Sequence, residues 1–134
     1  MYKRQVSNSL QSLVDYAPSF LDAAGVKTPG YMSGRSQLAS WQGDDGTARK
    51  HVMVENRHQP TRLNLRTRVD GRYKITLWNN PEDGEIYDLQ KDPDEHCNLW
   101  ADPSEAALKT RLLHQMALGE MEKEPYWMPR VYGA

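Results

Sequence analysis

A stripe of apolar residues at helical spacing, Leu10, Leu13, Val14, Ala17, Leu21 and Ala24, runs through residues 7–25 and ends at Gly25, a C-cap residue. Pro18 would break a hydrogen bond in the interior of such a helix. The pattern therefore predicts that the helix begins at an Asp15 N-cap, with Pro18 in the tolerant first turn. The Pro-, Gly-, Ser- and Asp-rich segments KTPGYMSGRS and WQGDDGTA that follow read as loops. From residue 51 onward four strands are predicted, over 51–56, 63–69, 72–79 and 85–89. A two-residue Asp70-Gly71 turn between the second and third would mix apolar and charged side chains on each face. An odd-length loop with Gly71 in a left-handed position instead gathers Leu63, Leu65, Thr67, Val69, Tyr73, Ile75 and Leu77 on one face. The other face then carries Asn64, Arg66, Arg68, Arg72, Lys74, Thr76 and Trp78, and this clean segregation favours the odd loop. Past Trp100, Asp102 as N-cap, Pro103 at the first helical position and Glu105 in a capping box open a helix. It carries Leu108, Leu112, Leu113 and Met116 on one stripe and is expected to lie across the sheet. The tail EKEPYWMPRVYGA is expected to run extended, anchored by Tyr126, Trp127 and Met128. The order of elements makes the chain α+β, a small four-stranded antiparallel sheet with a C-terminal helix packed on it, preceded by one helix.

Composition narrows the partners rather than naming one. Seventeen basic against eighteen acidic residues leave a net charge of -1, so nucleic acid is not indicated as a partner. A single cysteine excludes an internal disulfide, and no apolar run is long enough for a signal peptide or a membrane span. The opening MYKRQ, residues 1–5, reads as the translation of a sequencing-library adaptor. On that reading upstream targeting segments are cut away and the compartment is not legible.

Candidate chemistry concentrates in GEIYDLQKDPDEHCNLW, Gly84 to Trp100. The stretch fails as a metal site: counted from Asp88 or Asp92, an EF-hand lacks its glycine, and Cys97 with His96 finds no second zinc-ligand pair in His51, His58 or His114. Asp92-Pro93 instead starts a turn with Asp94 and Glu95 solvated, Asn98 bonds backbone within it, and Leu99 with Trp100 anchors it to the core. Cys97 reads as a semi-buried structural thiol, having no base and orienting group to activate it. Arg66, Arg68, Arg72 and Lys74 on one face either hold an anion or pair with nearby carboxylates. In ENRHQPTR, Glu55 to Arg62, a loop with Arg57, His58 and Arg62 either converges on a ligand or is simply polar surface.

Several pieces together resemble one family. SLVDYAPSFLDAAGV resembles the helix after the catalytic half of sulfatases, with its V-D-x-x-P-[TS] segment, and SGRSQL the G-x-S that follows it. LRTRVDGRYKITLW resembles the family's C-terminal hairpin, and GEIYDLQKDPDEHCNL its E-[LI]-Y-D-L-x-x-D-P-x-E-x-x-N-L signature. The resemblance is to the C-terminal part of a formylglycine-dependent, alkaline-phosphatase-like sulfatase. It implies that residues 6–45 close the α/β catalytic domain and residues 46–134 form the C-terminal subdomain. It implies an enzyme that hydrolyses sulfate esters of a small molecule or glycan and uses calcium and formylglycine. No C-x-P-S-R segment is present, Cys97 sits in EHCNLW, and the family's metal-binding and catalytic residues lie upstream of Ser7. No catalytic residue, metal ligand or cofactor is therefore assigned to this chain, which is expected to be inactive without a missing N-terminal catalytic domain. By analogy the loop Asn56, Arg57 and His58 is the expected substrate contact. A phosphonate or phosphodiester hydrolase of the same superfamily, and a stand-alone module binding anionic glycans, are the alternatives.

Overall fold

The reversal after Asp70 decides how the sheet is built. Asp70 Oδ1 accepts the backbone N–H groups of Arg72 at 2.9 Å and Tyr73 at 2.7 Å, satisfying two donors inside the turn. The result, in a computed structural model that describes residues 7–44, 48–58, 63–80 and 82–123, is a two-residue Gly71-Arg72 loop. Val69 stands opposite Lys74, Thr67 opposite Thr76 and Leu65 opposite Trp78. The odd-length loop expected from segregation is therefore not formed, and Gly71 is not among the glycines with positive φ. Because side chains alternate, a one-residue change of register puts the β3 set on the opposite face relative to β2.

The strands are β1 (His51–His58), β2 (Leu63–Asp70), β3 (Tyr73–Trp78) and β4 (Gly84–Asp88), joined in the order β1-β2-β3-β4, every neighbour antiparallel. Met53, Arg68, Ile75 and Ile86 form one rung across all four. The C-terminal helix, Ala106–Met121, packs on that face: Ile75, Ile86, Leu112 and Met116 are the buried core, with Met53, Tyr73, Leu77, Leu99, Trp100, Leu108 and Leu113 around them. Its start follows the expected chemistry, since the Asp102 side chain accepts the Ser104 N–H at 2.8 Å and Pro103 opens a short 3-10 turn before the α-helix. The α+β architecture with its helix on the sheet is as expected.

The core face is not purely apolar. Arg68 is 6% exposed, pairs with Asp70 at 2.6 Å and has no hydrogen-bond partner for its Nε. Arg66 reaches Glu55 at 3.4 Å and Glu120 at 3.8 Å. Long stems cover apolar surface while each charge finds a carboxylate, which removes the penalty that segregation would otherwise avoid. Arg72 is not on a face at all but in the loop, paired with Asp88 at 2.7 Å; Lys74 is on the opposite face, paired with Glu95. The four cations thus form no shared stripe, and the anionic-glycan module that needed one loses its basis. Glu95, expected to be merely solvated, is committed to Lys74.

The chain folds as two compact units, Met1–Arg49 with Glu122–Ala134, and Lys50–Met121. In the first, a 3-10 turn at Leu13–Asp15 leads into α1 (Tyr16–Ala23), and Gly25 follows at φ 69°, the left-handed C-terminal position expected of it. The α-helix starts immediately after Asp15 with Pro18 in its first turn, as predicted, and residues 7–12 are not helical. A short helical turn, α2 (Leu38–Trp41), forms in the interval between the two predicted loops, taking only Trp41 from the second, and packs Trp41 against Tyr16 and Phe20 with ring centres 6.1 and 5.9 Å away. The C-terminal helix of the other unit is α3. Among the described residues no helix is long and apolar enough to cross a membrane. The expectations for residues 1–5, for Arg62 and for the tail with Tyr126, Trp127 and Met128 lie outside the described residues.

Five aspartates share one response to acid. Burial raises Asp15 and Asp70, but hydrogen bonds from Arg49, and from Tyr73 N–H and Arg68 respectively, more than reverse it; Asp88 is lowered by Arg72, Asp92 by the Cys97 and His96 N–H groups, Asp102 by Ser104. Each folded-state value lies below the ordinary 3.8. The unfolded chain therefore binds protons first as pH falls, so stability is complete above about pH 5 and declines through and below pH 4. Chemical denaturation at pH 7, 5, 4 and 3 checks this, and an unchanged midpoint at pH 3 contradicts it.

Candidate functional site

Asn98 is the hinge of the acidic stretch. Its Oδ1 accepts the N–H of Ile86 at 3.0 Å and of Trp100 at 3.0 Å, while its Nδ2 donates to Gly84 O at 3.0 Å. Leu99 N–H adds a bond to Ile86 O at 2.9 Å. One residue type meets this demand for an acceptor and a donor on one planar group, which explains an amide here. Trp100 then lies against Gly84, where any Cβ would collide with the indole, and its Nε1 donates to Glu82 O at 3.2 Å. Lys109 Nζ sits 3.6 Å from the centre of the Trp100 ring. Asp92 starts the turn as expected, accepting His96 N–H at 3.1 Å and Cys97 N–H at 2.8 Å. Asn98→Ala leaves the Ile86 N–H without its acceptor and should cost about 2 kcal/mol by denaturation. A loss under half of that contradicts the role given to the amide.

Cys97 is exposed, not semi-buried as expected. It has no C-x-P-S-R context, and among the described residues no group of three or more His, Cys, Asp or Glu could hold a metal ion. The described residues fit neither formylglycine nor calcium.

The other half of the family resemblance resolves into a buried hub. Asp15 was expected to cap α1, but its side chain makes no cap hydrogen bond. Its carboxylate instead accepts Ser12 N–H at 2.9 Å, Arg35 N–H at 2.9 Å, Gln37 Nε2 at 3.2 Å and Arg49 Nε at 2.6 Å, with Arg49 Nη2 on the second oxygen. Ser19 Oγ donates to Asp15 O and accepts Gln37 N–H. Gly34 passes so close to Val14 O and Pro18 that no side chain fits. The D-x-x-P-S and G-R-S-Q segments are thus two sides of one structural knot.

Asn56, Arg57 and His58 lie on the last turn of strand β1 rather than in a loop, opposite Leu65, Asn64 and Leu63, and all three are exposed. Alternation puts Asn56 and His58 on one face and Arg57 on the other, so the three do not converge as a set. Asn56, Leu65 and Trp78 form a rung, placing Trp78 on the Asn56 face at the same end of the sheet. Beside Trp78 opens a groove of about 480 Å³ lined by Glu82, Asp83, Gly84, Glu85, Asn98, Trp100 and Ala101. Sequence reading missed this groove, because it joins residues 78–85 to 98–101 through the Asn98 bonds; a tryptophan on the polar face of a predicted strand was the available signal.

A family model described as N-sulphoglucosamine sulphohydrolase, C-terminal, matches residues 1–123. The chain belongs to that family. The sulfatase resemblance carried by VDYAPS, LRTRVDGRYK and EIYDLQKDPDEHCNL is therefore borne out. Among relatives, an N-acetylglucosamine-6-O-sulfatase of Bacteroides thetaiotaomicron is 29% identical over 125 residues, which cover 88% of this chain and 22% of that protein. A solved structure in complex with its substrate D-glucosamine-2-N,6-O-disulfate aligns with TM-score 0.72 at 23% identity, over 83% of this chain and 24% of that one. A phosphonate monoester hydrolase of Agrobacterium radiobacter shares the fold, with TM-score 0.68, 20% identity and coverage of 87% and 26%. The chain spans about a quarter of the length of the proteins it matches.

Proposed function

We propose that the chain is the C-terminal part of a sulfuric ester hydrolase acting on sulfated sugars. The observation that carries this reading is the family match over residues 1–123. The reaction centre, with calcium and formylglycine, would belong to the rest of that enzyme, and Asn56, Arg57 and His58 would reach the substrate from the end of β1. A feature of the first unit supports a larger body: its helix buries Asp15, Pro18 and Ser19 and leaves Leu13 79% and Phe20 65% exposed, with Val14 and Tyr16 also open. An apolar strip of this kind is the surface a catalytic domain would cover.

A chimera carrying the catalytic part of a family sulfatase ahead of Ser7 tests the proposal. It is expected to hydrolyse 6-O-sulfated glucosamine derivatives, while the 134-residue chain alone turns over neither these nor an aryl sulfate. Preference for a phosphonate monoester over the sulfate ester, or turnover by the chain alone, overturns it.

A further inference from the structure

We propose that the groove beside Trp78 is a saccharide subsite for a hexosamine that carries a free ammonium group. Much of its lining is already committed. Asn98 has given both ends of its amide to backbone, and Trp100 is held by Gly84, by the Glu82 carbonyl and by Lys109, whose ammonium donates to Trp100 O at 3.2 Å. The groups left for a ligand are Trp78, 37% exposed, and the carboxylates of Glu82 and Glu85, which make no hydrogen bond or ion pair among the described residues. Asp83 adds a third carboxylate, bound on one oxygen by Asn80 Nδ2 at 2.7 Å. Thr76, two residues before Trp78, pairs with Glu85, so Trp78 and Glu85 rise from the same face of the sheet.

A pyranose offers an apolar face of C–H groups to a flat indole and hydroxyls at its rim to carboxylates, the division between apolar wall and few polar groups that sugar-sized sites use. Charge chooses among sugars. Among the described residues three carboxylates and no Lys or Arg line the groove, so a sulfated or carboxylated ring is repelled. An ammonium beside the same groups gains charge-assisted hydrogen bonds and the attraction of the indole face. The subsite thus has a chemistry opposite to that of a sulfate-ester pocket, and it stands independently of the sulfatase reading.

The test titrates the 134-residue chain, at low micromolar concentration and low salt, with a glucosamine trimer, following tryptophan fluorescence. Saturable binding is expected, with the N-acetylated trimer, the 6-O-sulfated trimer and propylamine each at least about tenfold weaker. Trp78→Ala should weaken the free-amine trimer by at least about tenfold, and so should Glu82→Gln with Glu85→Gln, a pair at the groove's rim that keeps the test sharp if Trp78→Ala unfolds. Absence of saturation, equal binding of the acetylated trimer or of propylamine, or indifference to the Glu82/Glu85 pair overturns the proposal.

Discussion

Replacing Asp15 with alanine is expected to destabilise the first unit by about 3–5 kcal/mol. Asp15 is fully buried, and four residues send donors to its carboxylate: Ser12, Arg35, Gln37 and Arg49. Removing it takes an acceptor from each of them and the carboxylate from the mostly buried Arg49 guanidinium, which keeps the Ser33 carbonyl at 3.3 Å. A guanidinium without its carboxylate in that position is worse than no charge, so Arg49→Gln combined with Asp15→Asn should recover part of what Asp15→Ala loses. Hydrogen exchange on the α1 amides and limited proteolysis within residues 7–44 report this unit separately. Native-like protection in Asp15→Ala would show that the hub is dispensable.

Leu112→Ala should cost the sheet unit about 3 kcal/mol, from lost transfer energy and a cavity beneath α3. Leu112 is fully buried with Ile75, Ile86 and Met116, and both isoleucines belong to the rung in which Arg68 is also held. Denaturant unfolding of the variant checks the figure. A loss below about 1 kcal/mol means that α3 shifts to close the gap, a response permitted only by a loosely packed core.

Features legible in the sequence were those settled within a few residues. Gly25 after α1, Asp102 with Pro103 before α3, Asp92 in its turn and Asn98 bonding backbone all follow from local side-chain and backbone chemistry. The register of β2 against β3 was not legible, because the odd and even loops both preserve alternation. What separated them was the Asp70 carboxylate capturing the N–H groups of Arg72 and Tyr73. Arg68 in the core could not be read either, since its acceptability depends on Asp70 lying near enough to pair. The Asp15 hub gathers donors from 20 and 34 residues away, beyond the reach of any local rule, so the residue looked like a cap. Polarity made Asn56 to His58 look like a loop, whereas exposed polar residues also suit the end of an outer strand.

Sheet order leaves two rims with backbone groups that another chain could capture. On β4 that rim is occupied: Ile86 spends its N–H on Asn98 and its carbonyl on Leu99, and the Gly84 carbonyl is taken by the same Asn98 amide. The Asn98 amide and the Leu99 N–H together thus imitate a fifth strand and remove the template along which β4 would recruit a neighbour. Strand addition and early aggregation of this domain should therefore proceed through β1, where Val54 to His58 lie exposed.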